Sequence, residues 1–508
     1  MPSLLYWRRQ PVLLWLVVFC LSVDVLALSV RMFADFRAYA DLDDPDGATI
    51  LRVAEYVRTG HLYPDINQPP YYPTLYSPLG YVILSIPYRL AVHYSYSPRS
   101  ALRLAVFGFF LGTVGLVFLI ARRLTRSIKM GLLASLFAAS GSQLQSWPMR
   151  SRPDVLALTF ALLGIWLCLD TERRWQLAIA AVCGGVAFLC KQTFIAMSAA
   201  VFLWFLLQHR FKAALGWAAG VASVVSIGYG FFILREPLAW QHFAALSRPI
   251  FEYREGLRII LSAMNEAKVL FFFFGAYFAW RLRLARAPLI VLYGLAALFI
   301  ADVTIFQIGG NSNYFLEFWA ISAILAAPGL VELNRRSHRV PPAITALVMV
   351  LLLYFFVPKL RADRGEVLRT YQDAKEYPQE RAQWERVRAV LAGRRLFSFE
   401  PSITTWSSVP EVPDLFLSSA LEQSGTWSSA PIVRNVEGGV YEAIIGDNDA
   451  GRFRVVKTLL PSVFAAVERH YVRACSFQGY MVWLPSHGAP ELYDRLVQAG
   501  CVPASKAP

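Results

Sequence analysis

Residues 35–81 read DFRAYADLDDPDGATILRVAEYVRTGHLYPDINQPPYYPTLYSPLGY, a polar stretch in a chain that is otherwise mostly apolar. The stretch is acidic at its start, rich in Tyr and Pro, and directly follows the first apolar run, 11–30. It is too polar to cross a bilayer, because a transmembrane helix needs about 20 predominantly apolar residues. The sequence therefore predicts a large first loop outside the membrane, with chemistry at that face.

The composition indicates a polytopic membrane protein. Of the 508 residues, 56% are hydrophobic and 17% are charged, whereas soluble domains carry about 25% charged residues. The net charge is +14, and most of the basic residues lie in short loops between apolar runs. Basic loops that orient a protein in the membrane therefore explain the charge better than nucleic-acid binding does. No basic–aromatic pattern of a nucleic-acid module occurs, and no nucleic-acid partner is predicted.

The apolar runs predict a polytopic α-helical protein with about eleven transmembrane helices. The first run, 11–30, is longer than the apolar region of about 7–15 residues in a signal peptide. The other spans are predicted near 103–121, 130–148, 155–170, 176–190, 192–208, 213–234, 263–280, 288–308, 314–332 and 340–357. The basic loops then fall on the side of Arg8 and Arg9, which the positive-inside rule places in the cytoplasm.

This topology places the loops 31–102, 149–154, 190–192, 235–262 and 309–313 outside, together with the C-terminal part. The apolar run 79–92 is short and contains Pro87, so it predicts a helix lying in the membrane interface. The run 177–207 is too long for one span and predicts two short spans that meet outside at Lys191 and Gln192.

The composition changes near residue 358, after which charged residues, Pro, Gly and Ser become frequent. Residues 440–445 and 453–458 resemble strands, and 381–391 resemble a helix. We therefore predict a transmembrane domain, 1–357, and a small extracytoplasmic α/β domain, 358–508. In an oxidising compartment Cys475 and Cys501 could form a disulfide. The other cysteines lie in or beside apolar spans and read as inert small hydrophobes: Cys20, Cys168, Cys183 and Cys190.

The first loop contains a predicted amphipathic helix that would lie on the membrane surface. Its apolar positions recur at helical spacing: Ile50, Val53, Ala54 and Val57. Asp44 and Pro45 suit the N-cap and first helical position, and Gly60 suits the position after the helix. Asp46 would sit in the first turn, where it either complements the helix dipole or faces a ligand beside Gly47.

The other outside turns carry polar side chains that are candidate binding residues, because such residues converging at one face of a bundle are usual for a sugar site. The candidates are Asp154, Arg152, Arg150, Lys191, Gln192, Asn311, Asn313, Tyr314, Glu317 and Tyr76. Taken singly, Gln192 and the turn residues of 311–314 are better explained as capped helix ends, whereas Asp154 either complements the dipole of the helix that Pro153 opens or lines a site. Glu317 is an intramembrane acid, a functional candidate by default, whereas Tyr76 also suits a plain membrane interface.

Several motifs match a known family in order and in predicted membrane side. They are DDPDGATILRVAEYVRTGHLYPD at 43–65, PPYYPTLYSPLGYVIL at 69–84, ARRL at 121–124, RSRPDVLAL at 150–158, CKQTFIA at 190–196 and GGNSNYFLE at 309–317. In these motifs the chain resembles GT-C type membrane glycosyltransferases, the superfamily of protein O-mannosyltransferases and the lipid A aminoarabinose transferase. The resemblance is closest to bacterial members with a mannosyltransferase-like domain.

The resemblance implies an inverting enzyme that takes a sugar from a polyprenyl-phosphate donor. The acceptor would be a hydroxyl of a glycan, a lipid or a protein. An acidic residue of the first loop would act as general base, a role worth about 10²–10⁴-fold in rate. It falls on Asp46, with Asp44 as rival, because the chain has Asp-Pro-Asp where the family often has an acidic pair. Asp154 matches an Asp that lines the family's site.

Negative charge develops on the leaving phosphate, and cations facing it stabilise that charge. Arg150, Arg152 and Lys191 are the candidates on the outside turns. No His, Cys and Asp cluster has metal-ligand spacing, and some relatives use a divalent cation whereas others do not. The resemblance also implies a protein of the bacterial inner membrane, embedded in membrane lipid, with a cytoplasmic N-terminus and a periplasmic C-terminal domain.

A transporter or flippase of lipid-linked saccharides is the alternative. It would explain the apolar spans, but it predicts inverted repeats and paired charges in mid-membrane, which the sequence does not show. An O-antigen ligase or polymerase normally places its main polar loop late in the chain, whereas here that loop comes first.

Overall fold

The computed structural model describes residues 12–37, 44–71, 73–74, 76–140, 147–169, 174–246, 251–264, 268–282, 284, 286–307, 310–336, 364–365, 367–368, 376–409, 411, 415–423, 425–447 and 459–504. The chain divides into two compact units. Unit 1 comprises Met1–Arg37, Tyr76–Phe231 and Glu252–Thr370, and unit 2 comprises Ala38–Leu75, Phe232–Phe251 and Tyr371–Pro508. The predicted domain boundary at 358 lies outside the described residues.

The described residues are mostly helical. In chain order the helices are α1 Val12–Arg37, α2 Asp44–Thr59, α3 Pro78–His93, α4 Pro98–Thr125, α5 Ile128–Ala139, α6 Asp154–Cys168, α7 Arg174–Cys190, α8 Ala196–Leu207, α9 Phe211–Arg235, α10 Ala239–Leu246, α11 Tyr253–Met264, α12 Lys268–Arg281, α13 Ala287–Thr304, the 3₁₀ turn Ser312–Phe315, α14 Leu316–Arg336, α15 376–391, α16 Pro401–Thr404, α17 Leu415–Gln423, α18 Ala430–Glu437, α19 Pro461–His470 and α20 Pro490–Gln498.

Ten of the predicted spans overlap described helices, and the eleventh, 340–357, lies outside the described residues. The span predicted at 130–148 is too long, because α5 ends at Ala139 and residues 147–150 form a turn. Among the described residues, α4, α9 and α13 are long and apolar enough to cross a membrane, and α5 to α8 are shorter apolar helices. The total of eleven spans therefore stays a prediction. The short run 79–92 is helical within α3, as predicted.

Unit 1 is a helical bundle whose helices approach closely at glycines. α14 packs against α12 and α5, and α6 packs against α7. A Cβ atom on Gly275 of α12 would lie 2.2 Å from the main-chain oxygen of Leu325 in α14. A larger side chain would force these two backbones apart, so this position requires glycine.

Unit 2 contains a five-stranded sheet and the helices α2, α10 and α15–α20. The strands are β1 Leu396–Ser398, β2 Ala443–Asp447, β3 Tyr471–Phe477, β4 Tyr480–Pro485 and β5 Val502–Pro503. Their order is β1-β2-β4-β3-β5, with β1 and β2 parallel and the other pairs antiparallel. The predicted α/β character of the C-terminal part is therefore confirmed.

Two apolar cores lie in unit 2. One includes Ile66 and Tyr71 of the first loop together with Phe397 and Trp483 of the sheet, so the loop is part of the fold of this unit. The second core contains a disulfide between Cys475 and Cys501, a pairing that the sequence had left open. The four other cysteines are free and buried, as expected.

Three sequence predictions for unit 2 meet different outcomes. The helix predicted at 381–391 lies within α15. The strand predicted at 440–445 begins three residues later, because the Val440 amide instead donates to Asn435 at the end of α18 (3.0 Å). The strand predicted at 453–458 lies outside the described residues.

The helix of the first loop forms where it is predicted, as α2, and Gly60 follows it with φ +78°. The polar face of this amphipathic helix is, however, buried in its first turns. Asp46, Thr49 and Arg52 are at most 1% exposed, as deeply buried as Val53 on the apolar face. Periodicity identifies the apolar face, but it does not show that α16 and its surroundings also cover part of the polar face.

Candidate functional site

The candidate site of unit 1 is built around the carboxylate of Asp154 at the first residue of α6. Asp154 is fully buried. Its Oδ1 accepts hydrogen bonds from the ammonium of Lys191 and from Nδ2 of Asn313 (2.6 Å). Nε of Arg152 lies 3.4 Å from Oδ2. We call Asp154, Arg152, Lys191 and Asn313 the Asp154 cluster.

The charges of the Asp154 cluster do not cancel. Lys191 and Arg152 are 3% and 6% exposed and both pair with the carboxylate of Asp154, so these three side chains together carry one positive charge. Taking an ion out of water costs several kcal/mol unless charged and hydrogen-bonding partners compensate it. The cluster therefore suits a further anionic group as its partner.

Aromatic rings surround the two cations. The Lys191 ammonium lies 5.4 Å from the ring centre of Tyr76 and 5.1 Å from that of Tyr314. The Arg152 guanidinium lies 4.5 Å from the ring centre of Trp147 and 5.7 Å from that of Tyr76. Such contacts stabilise cations by about 0.5–2 kcal/mol, in addition to the ion pairs that both cations make with Asp154.

Arg150 is joined to the same group through Trp147. Its guanidinium lies 4.6 Å from the ring centre of Trp147, and its side chain is partly exposed. The turn that carries both arginines is tight, because the Arg150 amide donates to Trp147 (3.2 Å) and the Arg152 amide donates to Arg150 (2.7 Å). Arg150 thus lies at the more accessible side of this turn.

Close helix packing brings the start of α3 to this site. A Cβ atom on Gly80 would lie 2.6 Å from Cβ of Pro153 and 2.9 Å from the main-chain oxygen of Cys190. Glycine at position 80 therefore lets α3 approach both the residue before Asp154 and the residue before Lys191. The Tyr76 ring, just before α3, reaches the cations for this reason.

A second polar group adjoins the first. The Ser77 hydroxyl donates to Oε1 of Gln192 (3.3 Å) and lies 2.7 Å from the Tyr229 hydroxyl. Gln192 follows Lys191 directly, so the predicted pair of outside residues at 191–192 faces polar partners on α3 and α9. Sequence reasoning did not single out Ser77 or Tyr229.

Several buried polar atoms of the cluster and its surroundings make no hydrogen bond within the part of the chain that the structure describes. They include the indole Nε1 of Trp147, the amide Oδ1 of Asn313 and Oδ2 of Asp154. Buried polar groups are nearly always satisfied, so an unsatisfied donor and acceptor at one site are notable. They suit a ligand that both accepts and donates hydrogen bonds, as a sugar or a phosphate ester with hydroxyl groups does.

Two predicted site residues have other partners. Oδ1 of Asn311 accepts from the Ser312 amide (2.7 Å) and caps the 3₁₀ turn. Oε1 of Glu317 accepts from the Tyr293 hydroxyl (2.6 Å) inside the bundle. The structure thus gathers Tyr76, Arg150, Arg152, Asp154, Lys191, Asn313 and Tyr314, with Gln192 beside them. Asn311 and Glu317 make their hydrogen bonds to other residues.

The two candidate bases lie in unit 2. Asp46 is fully buried in the first turn of α2. Asp44 is the first residue of that helix. Asp41 and Asp43, which form Asp-x-Asp pairs in the sequence, lie outside the described residues. The assignment of a base to Asp46 or Asp44 therefore stays a prediction.

An apolar cavity of about 320 Å³ lies between α7, α8 and α9. Its lining residues are Phe188, Ile195, Ser198, Ala199, Phe202, Trp217, Ala218, Val221, Ala222 and Val225. Phe188 also contacts the Tyr229 ring at 6.3 Å, and Tyr229 belongs to the polar group around Ser77. The cavity therefore begins one turn from Lys191 along α7.

Within the described residues no group of three or more His, Cys, Asp or Glu side chains is placed to hold a metal ion.

Comparison with known proteins identifies the fold. The family model described as dolichyl-phosphate-mannose-protein mannosyltransferase matches residues 77–229. The crystal structure of ArnT from Cupriavidus metallidurans bound to undecaprenyl phosphate is similar over 95% of this chain and 100% of that chain, with a TM-score of 0.60 and 13% identity. No curated protein matches the sequence significantly.

The archaeal oligosaccharyltransferase AglB from Archaeoglobus fulgidus, in complex with an inhibitory peptide and a dolichol-phosphate, is also similar. The match covers 95% of this chain and 77% of that chain, with a TM-score of 0.54 and 13% identity. The resemblance drawn from the sequence motifs is thus confirmed. The chain has the fold of GT-C type membrane glycosyltransferases and a mannosyltransferase-like segment.

Proposed function

We propose that this protein is an inverting glycosyltransferase of the inner membrane that takes a sugar from a polyprenyl-phosphate donor. The acceptor is a hydroxyl of a glycan, a lipid or a protein at the periplasmic face. The observation that carries the proposal is the Asp154 cluster, a buried group with one excess positive charge and aromatic walls. The single negative charge of the phosphodiester that joins sugar and polyprenyl chain in the donor compensates that charge.

In the proposed reaction the cluster binds the phosphate of the donor. The acceptor oxygen bonds to the anomeric carbon, the bond from that carbon to the phosphate oxygen breaks, and polyprenyl phosphate leaves with the electron pair. Lys191 and Arg152 stabilise the charge that develops on the leaving oxygen, as preorganised cations do in a site with little water. Asp154 holds both cations in place.

The polyprenyl chain of the donor has an apolar place in unit 1. The cavity between α7, α8 and α9 is lined almost entirely by apolar side chains and begins near Lys191. The two similar structures were solved with undecaprenyl phosphate and with a dolichol-phosphate, which supports a lipid of this class. The proton of the acceptor hydroxyl passes to a carboxylate, for which the resemblance gives Asp46, with Asp44 as the rival.

A transfer assay on the purified protein tests the proposal. A panel of radiolabelled polyprenyl-phosphate sugars is supplied with extracted glycan, lipid and protein acceptors, and release of polyprenyl phosphate is measured. We expect turnover by the wild type, loss of turnover in Asp46→Asn, and retention in Asp44→Asn. The reverse result for the two variants would transfer the role of base to Asp44.

Binding of the donor lipid tests the role of the cluster separately. We expect Lys191→Met to weaken binding of polyprenyl phosphate at least about tenfold, because a charge-assisted hydrogen bond contributes about 1.5–3 kcal/mol. Arg210→Met is a matched control. Arg210 also lies over an aromatic ring, that of Phe205, at 5.0 Å, but it is exposed and directly precedes α9.

A lipid-transport assay tests the alternative function. Movement of labelled lipid across the membrane of vesicles without release of polyprenyl phosphate would favour a flippase.

A further inference from the structure

Two side chains of the segment that follows α9 hold the backbone of the first loop inside unit 2. Glu236 is buried, and its Oε2 accepts hydrogen bonds from the amides of Leu62 (2.7 Å) and Tyr63 (2.8 Å). His242 is fully buried on α10. Its Nδ1 accepts from the Thr74 amide (2.9 Å), and its Nε2 lies 2.8 Å from the carbonyl oxygen of Pro64.

These contacts define the state of the His242 ring. An amide nitrogen only donates, so Nδ1 carries no proton. A carbonyl oxygen only accepts, so Nε2 carries the proton and donates to Pro64. The ring is therefore neutral, in one tautomer, and both nitrogens are used. All four hydrogen bonds from Glu236 and His242 end on main-chain atoms, so they fix the path of the loop itself.

The loop between its two attachment points is also closed on itself. The Thr74 hydroxyl donates to the carbonyl oxygen of Leu62 (2.8 Å), which joins the two ends of the stretch 62–74. The Tyr63 ring packs edge-on against Phe232 (5.9 Å), His242 (5.2 Å) and Phe243 (5.1 Å). The segment 232–243 thus binds the loop through both polar and aromatic contacts.

The fixed stretch adjoins the residues of the proposed reaction along the chain. α2, which carries Asp46, ends at Thr59, and Gly60 donates to Tyr56 (2.9 Å) two residues before Leu62. A shift at Leu62 would therefore be passed on to the helix that carries Asp46.

We propose that Glu236 and His242 are positioning residues. They set the position of the candidate base by holding the stretch 62–74 of the first loop at both of its ends. The proposal rests on the proposed function, because it assigns these side chains to the transfer reaction. Neither side chain touches the substrate. Their loss lowers turnover, since a misplacement of about 1 Å of a reacting group can reduce a rate about 10²-fold.

Four variants separate this role from a loss of folding. Glu236→Ala and His242→Ala remove the hydrogen bonds. Glu236→Gln keeps an acceptor oxygen for the two amides, and His242→Asn keeps an acceptor near the position of Nδ1. Glu255→Ala is the matched control, because Glu255 is a glutamate of the next helix that pairs on the exposed surface with Arg258.

Turnover is measured with the radiolabelled polyprenyl-phosphate sugar that the wild type uses. In the two alanine variants we expect kcat to fall about 10- to 100-fold, whereas KM for the donor changes less than about threefold, because the donor is bound elsewhere. Glu236→Gln and His242→Asn should restore most of kcat. Unchanged kcat in the alanine variants, or a loss seen only in KM, would overturn the positioning role.

Hydrogen exchange of the amides of Leu62, Tyr63 and Thr74 gives a readout that does not depend on turnover. We expect exchange at these amides to become at least about tenfold faster in the alanine variants, corresponding to the loss of about one hydrogen bond each, and to stay unchanged in Glu255→Ala. Unchanged exchange would overturn the proposal even if the wild type shows no transfer. If the wild type is inactive but exchange is faster in the alanine variants, the proposed function is overturned, while the role of Glu236 and His242 in holding the stretch 62–74 is supported.

Discussion

Replacing Asp154 by Asn removes the carboxylate of the Asp154 cluster and keeps its shape. At 3.4 Å, the attraction between Arg152 and the carboxylate is about 5 kcal/mol for an effective dielectric constant of about 20. Lys191 loses its charged partner as well. Removing one partner of a buried ion pair costs about 3–5 kcal/mol, because the other charge stays uncompensated. We expect Asp154→Asn to lower the free energy of unfolding by that amount.

Lys191→Met tests the same pair from the other side. It leaves Asp154 with Arg152 and Asn313, so the carboxylate keeps two partners and we expect a loss of about 2–3 kcal/mol. The double variant removes one charge of each sign and restores the wild-type excess of one positive charge. Its loss should be smaller than the sum of the two single losses by at least about 2 kcal/mol.

Reversible unfolding by SDS in mixed micelles measures these free energies. The control is the cycle of Glu255→Gln and Arg258→Met, an ion pair three residues apart on the exposed face of α11. That pair should show a coupling of about 0.5 kcal/mol or less, as exposed pairs do. Additive losses in the cluster cycle, within about 0.5 kcal/mol, would refute the argument that Asp154 compensates buried cations.

Three further predictions concern other parts of the chain. Burial, the largest effect, lowers the pKa of His242 to about 4, against the hydrogen bond to Pro64, which raises the pKa, while Arg52 lowers it slightly and Asp65 raises it slightly. The neutral ring therefore stabilises unit 2 fully above about pH 6.5. This stability is lost as the pH falls towards 4, by up to about 3 kcal/mol. In His242→Asn the thermal unfolding midpoint should therefore depend less on pH over this range. Trp147→Phe keeps a ring over the arginines but removes an indole donor without a partner among the described residues. Polyprenyl-phosphate binding should weaken about 3- to 10-fold while thermal stability stays the same. Replacing Cys475 and Cys501 by Ser opens a loop of sequence separation 26, and should cost unit 2 about 3.5 kcal/mol in denaturant unfolding.

The residues of the Asp154 cluster were predictable because each lies at the end of an apolar run. Polar side chains at Arg152, Asp154, Lys191 and Asn313 stand on turns that a single count of spans places on one side. These residues come together in one cluster because the helix ends on one face of a bundle lie close to each other. The sequence could not show which polar turn residues contact each other and which, like Asn311, only cap a helix end.

Other features left no local pattern to find. Trp147, Ser77 and Tyr229 are ordinary residues of a membrane interface, and only the three-dimensional structure places them beside the cations. Glu236 and His242 contact backbone atoms 168 to 178 residues away in the sequence. Such contacts involve main-chain atoms of the loop, so no spacing of residue types in the loop indicates them.

The burial of α2 shows where periodicity stops being informative. Val53 and Ile50 predict the apolar face correctly, but Arg52 on the other face is equally buried. A helix that is covered on both faces by its own protein needs no membrane surface to bury its apolar side.

The charge of the Asp154 cluster and its position together restrict what the site can bind. With no carboxylate, two buried cations would repel each other and destabilise the fold. With a second carboxylate, the group would be neutral and would attract no anion. One carboxylate between two cations holds them in place and still leaves one positive charge. A phosphate ester with an apolar chain supplies a negative charge for the cations and an apolar tail for the cavity between α7, α8 and α9. A free nucleotide supplies only the charge, and a neutral sugar supplies neither.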